Sequence, residues 1–105
     1  YWLDDNDPVL ARHFAQTIFD AYFGLGRDIS SEAVVAEIAA SLYIDVDDML
    51  AAIRQPAAKE RLKQETDAAI EKGVIGSPYF IVDGEGFWGS DRMWMIRRWI
   101  KRGGW

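Results

Sequence analysis

Two short stretches hold residue types suited to binding. Ser90-Asp91 follows Phe87-Trp88-Gly89 and opens a run with helical periodicity. A serine there reads as a plain N-cap. The same position also offers an anion the free N–H groups and positive dipole end of a helix start, and the two readings are compatible. Arg92 beside them is a weaker candidate, equally suited to pairing with Asp83, Glu85 or the helical part. The second stretch is Ser77-Pro78, between Gly73-Val74-Ile75-Gly76 and the apolar run Tyr79-Phe80-Ile81-Val82. Pro78 has no backbone N–H and cannot act as an ordinary interior strand residue. By composition alone it is a trans proline starting an edge strand.

Other conspicuous residues take plainer readings. His13 is the only histidine and has no second ligand at metal spacing. Asp4, Asp5 and Asp7, and likewise Asp45, Asp47 and Asp48, lack the pattern of a calcium loop and read as caps and solvated acids. No metal site is expected. Tyr1, Trp2, Tyr22 and Phe23 read as aromatic core, with a substrate pocket between the helical part and the sheet as the alternative. Trp94 and Trp99 read as core or interface. With no cysteine, the residues hold neither a disulfide nor a redox dithiol.

The elements that position these residues fall into two groups. Asp7-Pro8 is an N-cap with a first-turn proline, and Leu10, Phe14, Ile18 and Tyr22 then recur every four residues. A second helix starts at Ser30 or Ser31 and buries Val34, Ile38 and Leu42, or Val35 and Ala39 beside them. A third begins near Asp45 with Met49, Leu50 and Ile53, and a fourth runs from Gln55-Pro56 to Lys72. Beyond Gly73 the period changes to that of a hairpin, with strands at 79–82 and 87–88 around Asp83-Gly84-Glu85-Gly86. A last helix spans about 91–102. The fold class is α+β, with a helical domain at 1–72 and a mixed one at 73–105. Two strands alone are marginal in water, so the sheet reads as incomplete.

A chain of 105 residues that is 50% apolar is one domain's worth of sequence, not a disordered tail. No apolar run approaches membrane-spanning length, no basic and apolar leader opens the sequence, and no membrane partner is expected. Residues 1–55 carry ten acidic and three basic side chains, whereas 91–105 carry five basic and one acidic. The overall charge of -5 argues against nucleic acid, so the basic helix is expected to be a solvated face paired with acidic neighbours.

Residues 73–84, followed by Phe87-Trp88-Gly89-Ser90-Asp91-Arg92, resemble the C-terminal part of 2-hydroxychromene-2-carboxylate isomerases. Ala21-Tyr22-Phe23-Gly24, Gly26-Arg27-Asp28-Ile29-Ser30 and Glu65-Thr66-Asp67-Ala68-Ala69-Ile70 are similar to that family's inserted helical domain. These are glutathione-dependent enzymes of the thioredoxin superfamily, related to kappa-class glutathione transferases and DsbA-like oxidoreductases. The resemblance implies a split thioredoxin fold whose N-terminal strand–helix–strand, carrying the residue that faces the thiol, is not among these residues.

It further implies a cis Pro78 that turns the backbone N–H and C=O of Ser77 outward, where the extended peptide glutathione pairs with them. Ser90 and Asp91 would hold the γ-glutamyl end. Glutathione thiolate would add to a small aromatic substrate, permit bond rotation and leave again. No catalytic residue is expected in the chain itself, which should be inactive alone, cytoplasmic and homodimeric through the exposed hairpin edge. The alternatives are a fragment of a DsbA-like thiol–disulfide oxidoreductase and a non-catalytic helical binding module.

Overall fold

Asp7 is extended, and its carboxylate accepts from the N–H groups of Val9 and Leu10 at 3.1 and 2.9 Å, satisfying two donors that a helix start leaves unpaired. This cap, with Pro8 behind it, separates a one-turn helix, α1 (Trp2–Asn6), from α2 (Pro8–Phe19). The computed structural model describes residues 1–105, and the order continues with α3 (Glu32–Ser41), α4 (Val46–Arg54), α5 (Pro56–Glu71), β1 (Tyr79–Val82), β2 (Glu85–Trp88) and α6 (Met93–Arg102). It is an α+β chain, mostly helical, whose one sheet has two antiparallel strands. Residues Tyr1–Arg61 and Leu62–Trp105 form two compact units, the division falling within α5.

In the first unit the core centres on Ala39, Ile44 and Met49, with Trp2, Leu3, Leu10, Phe14, Val35, Leu42, Val46 and Leu50 packed around them. The stripe expected along α2 holds through Ile18 but not to Tyr22. The chain widens into a π-helical turn at Asp20–Gly24, and the wider turn carries Ala21 into the interior while Tyr22 and Phe23 face outward. The Tyr22 and Phe23 rings meet edge to face at 4.8 Å on the surface, so neither is core. Ser31 and Asp45 precede α3 and α4, and Asp45 caps α4 by accepting from the Asp48 N–H at 3.0 Å.

In the second unit Asp83 and Gly84 both have positive φ, 52° and 83°. That is the pair of left-handed residues a two-residue hairpin turn requires, and Asp-Gly is well suited to it. The turn is shorter than the sequence suggested, because Glu85 and Gly86 are already in β2, opposite Val82 and Ile81. Phe87 is 3% exposed and packs against Trp99 and Trp105 at 6.0 and 5.8 Å between ring centres. Ile96 is buried on the same side of α6. The Trp99 indole N–H donates to Asp83 at 3.2 Å, tying α6 to the turn. Gly103, at φ 71°, ends α6 with its N–H bonded to the Trp99 carbonyl.

Candidate functional site

The two stretches singled out in the sequence meet at the open end of the hairpin. Tyr79 pairs with Trp88 at the last rung of the ladder. Beyond that rung the Gly89 N–H donates to the Pro78 carbonyl at 2.9 Å. Ser77-Pro78 and Ser90-Asp91, twelve or more residues apart in sequence, are thereby joined through a single backbone bond. All four residues are exposed. The Ser77–Pro78 peptide is cis. Ser77 precedes the ladder, so its own N–H and C=O take no part in strand pairing.

Gly89 is the pivot. Its φ of 99° and ψ of 149° lie where only glycine is comfortable. The Asp91 carboxylate curls back over it, so that a Cβ placed at Gly89 would run into Asp91 Oδ1. The helix beyond begins as a short 3₁₀ turn, Ser90–Arg92, which leads into α6. No side chain caps either start. Ser90 is therefore not the N-cap its type suggested, because the chain enters the turn through Gly89. A helix start without a side-chain cap keeps N–H groups available to an outside acceptor.

Arg92 pairs with neither Asp83 nor Glu85. Its Nε lies 3.9 Å from Asp91 Oδ2 and its Nη1 3.8 Å from the Met95 sulfur. The Asp83 carboxylate is instead taken by Trp99. Trp94 is 61% exposed and so not core. The paired face expected of the basic helix does not form either, since no ion pair involves Arg97, Arg98, Lys101 or Arg102. The ion pairs of the first unit include Glu32 with Arg54 at 2.7 Å and Glu37 with Arg27 at 2.6 Å.

The first unit offers a different cavity, of about 370 Å³, walled by Tyr1, Trp2, Ala52, Ile53 and Ala58. Arg61 stands over the Tyr1 ring at 4.8 Å and pairs with Asp5. His13 is exposed, and its backbone carbonyl accepts from the Thr17 hydroxyl at 2.9 Å.

The profile of the family described as DSBA-like thioredoxin domain matches residues 1–101. The chain belongs to the DSBA-like thioredoxin domain family. Among its relatives is glutathione S-transferase kappa 2 of Caenorhabditis elegans, 32% identical over 94 residues, covering 83% of this chain and 42% of that protein. The 2-hydroxychromene-2-carboxylate isomerase of Sphingobium xenophagum is 28% identical over 83 residues, covering 79% of this chain and 43% of the relative. That of Pseudomonas sp. (strain C18) is 32% identical, over 79% and 39%. The chain thus spans about two-fifths of the length of these relatives, and its two-stranded sheet corresponds to part of a DSBA-like domain. No helix is long and apolar enough to cross a membrane.

The four residues are conspicuous in the sequence as candidates, but the bond that joins them is not. Gly76 and Gly89 flank the two stretches, and both turn out to be positions where a side chain would collide. Their symmetric placement was the available signal.

Proposed function

We propose that this DSBA-like chain carries the backbone half of a glutathione site in a glutathione-dependent isomerase acting on 2-hydroxychromene-2-carboxylate-type compounds. The observation that supports it most is the Gly89-to-Pro78 hydrogen bond, which brings Ser77-Pro78 and Ser90-Asp91 into one exposed site. The residues suit the ligand. The free N–H and C=O of Ser77 match the main chain of an extended peptide. The uncapped helix start at Ser90 favours a carboxylate, and the Asp91 carboxylate suits an ammonium.

Glutathione, when bound, supplies a thiolate that adds reversibly to a conjugated carbonyl compound and so frees a double bond to rotate. This chain's part is to orient the tripeptide. Ser77 pairs its backbone, Ser90 and Asp91 fix its γ-glutamyl end, and the Ser77 side chain is dispensable. The group facing the thiol lies outside these residues, so the chain alone has no isomerase activity. Work in the cytoplasm, where reduced glutathione is plentiful, follows from the same reading. Both strands of the hairpin have a free edge, and Ile81 in β1 is 45% exposed. A homodimer paired through that edge covers it, and light scattering on the eluting species tests this by returning twice the chain mass.

The test of the site is calorimetric titration of the chain with reduced glutathione. Saturable one-to-one binding is expected. Asp91→Ala should weaken it about tenfold or more, since a hydrogen bond to a charged group is worth about 1.5–3 kcal/mol. Ser77→Ala should leave it unchanged. No binding, or equal binding by the Asp91 variant, overturns the proposal.

A further inference from the structure

Gly76 is an unusual glycine. It lacks the left-handed φ that explains Gly73, Gly84 and Gly89, so its backbone would accept any residue. What excludes a side chain there is the Trp88 indole. A Cβ on Gly76 would come within 2.7 Å of Trp88 Cε2 and closer still to Nε1. Trp88 is the last residue of β2, the ladder partner of Tyr79. From that rung its ring reaches sideways, past the end of β1, and lies on the residue just before Ser77-Pro78. The indole does this while 55% exposed. An aromatic ring in that position does little for the interior, because Phe87, on the opposite side of the strand, already fills the space against Trp99 and Trp105.

The loop entering Ser77 has few other fastenings. The Val74 N–H bonds to the Ala69 carbonyl at 3.0 Å, and the next backbone tie is the Pro78 carbonyl to Gly89. Between these two points the indole lies against Gly76 and restricts the path open to the chain. Ser77 acts through its backbone in the proposed site, so the direction of its N–H and C=O depends on that path.

We propose that Trp88 is a positioning residue for the glutathione site: its indole, packed on Gly76, aims the Ser77 backbone groups at the ligand. This rests on the glutathione reading above. Gly76 and Trp88 act as one device, in which the missing side chain of the first admits the ring of the second.

The test is a double-mutant cycle of Gly76→Ala and Trp88→Ala, read by glutathione titration of the full chain well below its melting temperature. Each single variant should weaken binding about tenfold, a coupling typical of contacting residues. The double variant should bind no worse than Trp88→Ala, because the three atoms nearest the added methyl all belong to the ring. Melting temperatures measured alongside separate positioning from mere folding. Trp88 is half-exposed, so Trp88→Ala should stay folded and lose affinity. Three results overturn the proposal: wild-type affinity in Trp88→Ala, wild-type affinity in Gly76→Ala, or penalties that add in the double variant. A wild-type chain with no affinity for glutathione overturns the glutathione reading itself, which distinguishes the two failures.

Discussion

Replacing Gly89 by alanine strikes the residue through which the two halves of the site are joined. At φ 99° and ψ 149° an L-residue is strained, and such positions cost about 1–3 kcal/mol. The new methyl would also collide with Asp91 Oδ1, which must then swing away. A loss of about 2 kcal/mol corresponds to a fall in Tm of about 10 °C for a domain of this size. The assay is thermal unfolding followed by tryptophan fluorescence. Trp88, Trp94, Trp99 and Trp105 all lie in the second unit, so the signal reports chiefly on that unit. Gly24→Ala, in the first unit and therefore followed by far-ultraviolet circular dichroism, is the control. Gly24 has no positive φ and nothing within 4 Å of the added carbon, so it should leave Tm unchanged or raise it slightly. A Gly89→Ala chain that melts within about 2 °C of wild type would refute the reasoning, for it would mean that the strained backbone relaxes at no cost.

Phe87→Ala removes a ring that is 3% exposed and braced by Trp99 and Trp105, and should cost about 3–5 kcal/mol, unfolding the second unit at room temperature as judged by loss of near-ultraviolet circular dichroism. Asp7→Ala releases two backbone donors at the start of α2 and should cost about 1 kcal/mol in urea denaturation. The hydrogen bond from Arg54 holds the Glu32 carboxyl below its ordinary 4.5. The pair's stabilisation is therefore complete above the unfolded-state value and is lost as pH falls through the lower folded-state pKa. The pair is exposed, so the effect is small. The Tm gap between wild type and Glu32→Gln should be widest above the ordinary carboxyl value of 4.5 and should close as the pH falls below it. A gap independent of pH would show that the Arg54 contact is not responsible.

Much of the architecture was legible because it is written in local signals. Asp7-Pro8 and Asp45 are caps at the positions their types announced, and Asp83-Gly84 is a turn that two positive φ angles require. The π-helical turn at Asp20–Gly24 was not legible. It overrides a regular four-residue spacing, and only packing decides that Ala21 rather than Tyr22 goes inward. Ser90 misled for a related reason. Serine before a helix suggests a cap, but Gly89 takes the chain into the turn at an angle that no side-chain cap accompanies. The candidate residues were visible as two stretches, and a shared role for them was implied by a family resemblance rather than by spacing. The bond between Gly89 and Pro78, and the indole on Gly76, are consequences of hairpin register. A one-residue slip would have placed Trp88 on the other face of the sheet.

The most direct test of the central claim is a titration of the uniformly ¹⁵N-labelled chain with reduced glutathione, following every backbone amide. Saturable shifts concentrated at Ser77, Gly89, Ser90 and Asp91 are expected, with the helices of the first unit unmoved. Shifts confined to the first-unit cavity beside Tyr1 and Arg61, or none at all, would contradict that claim.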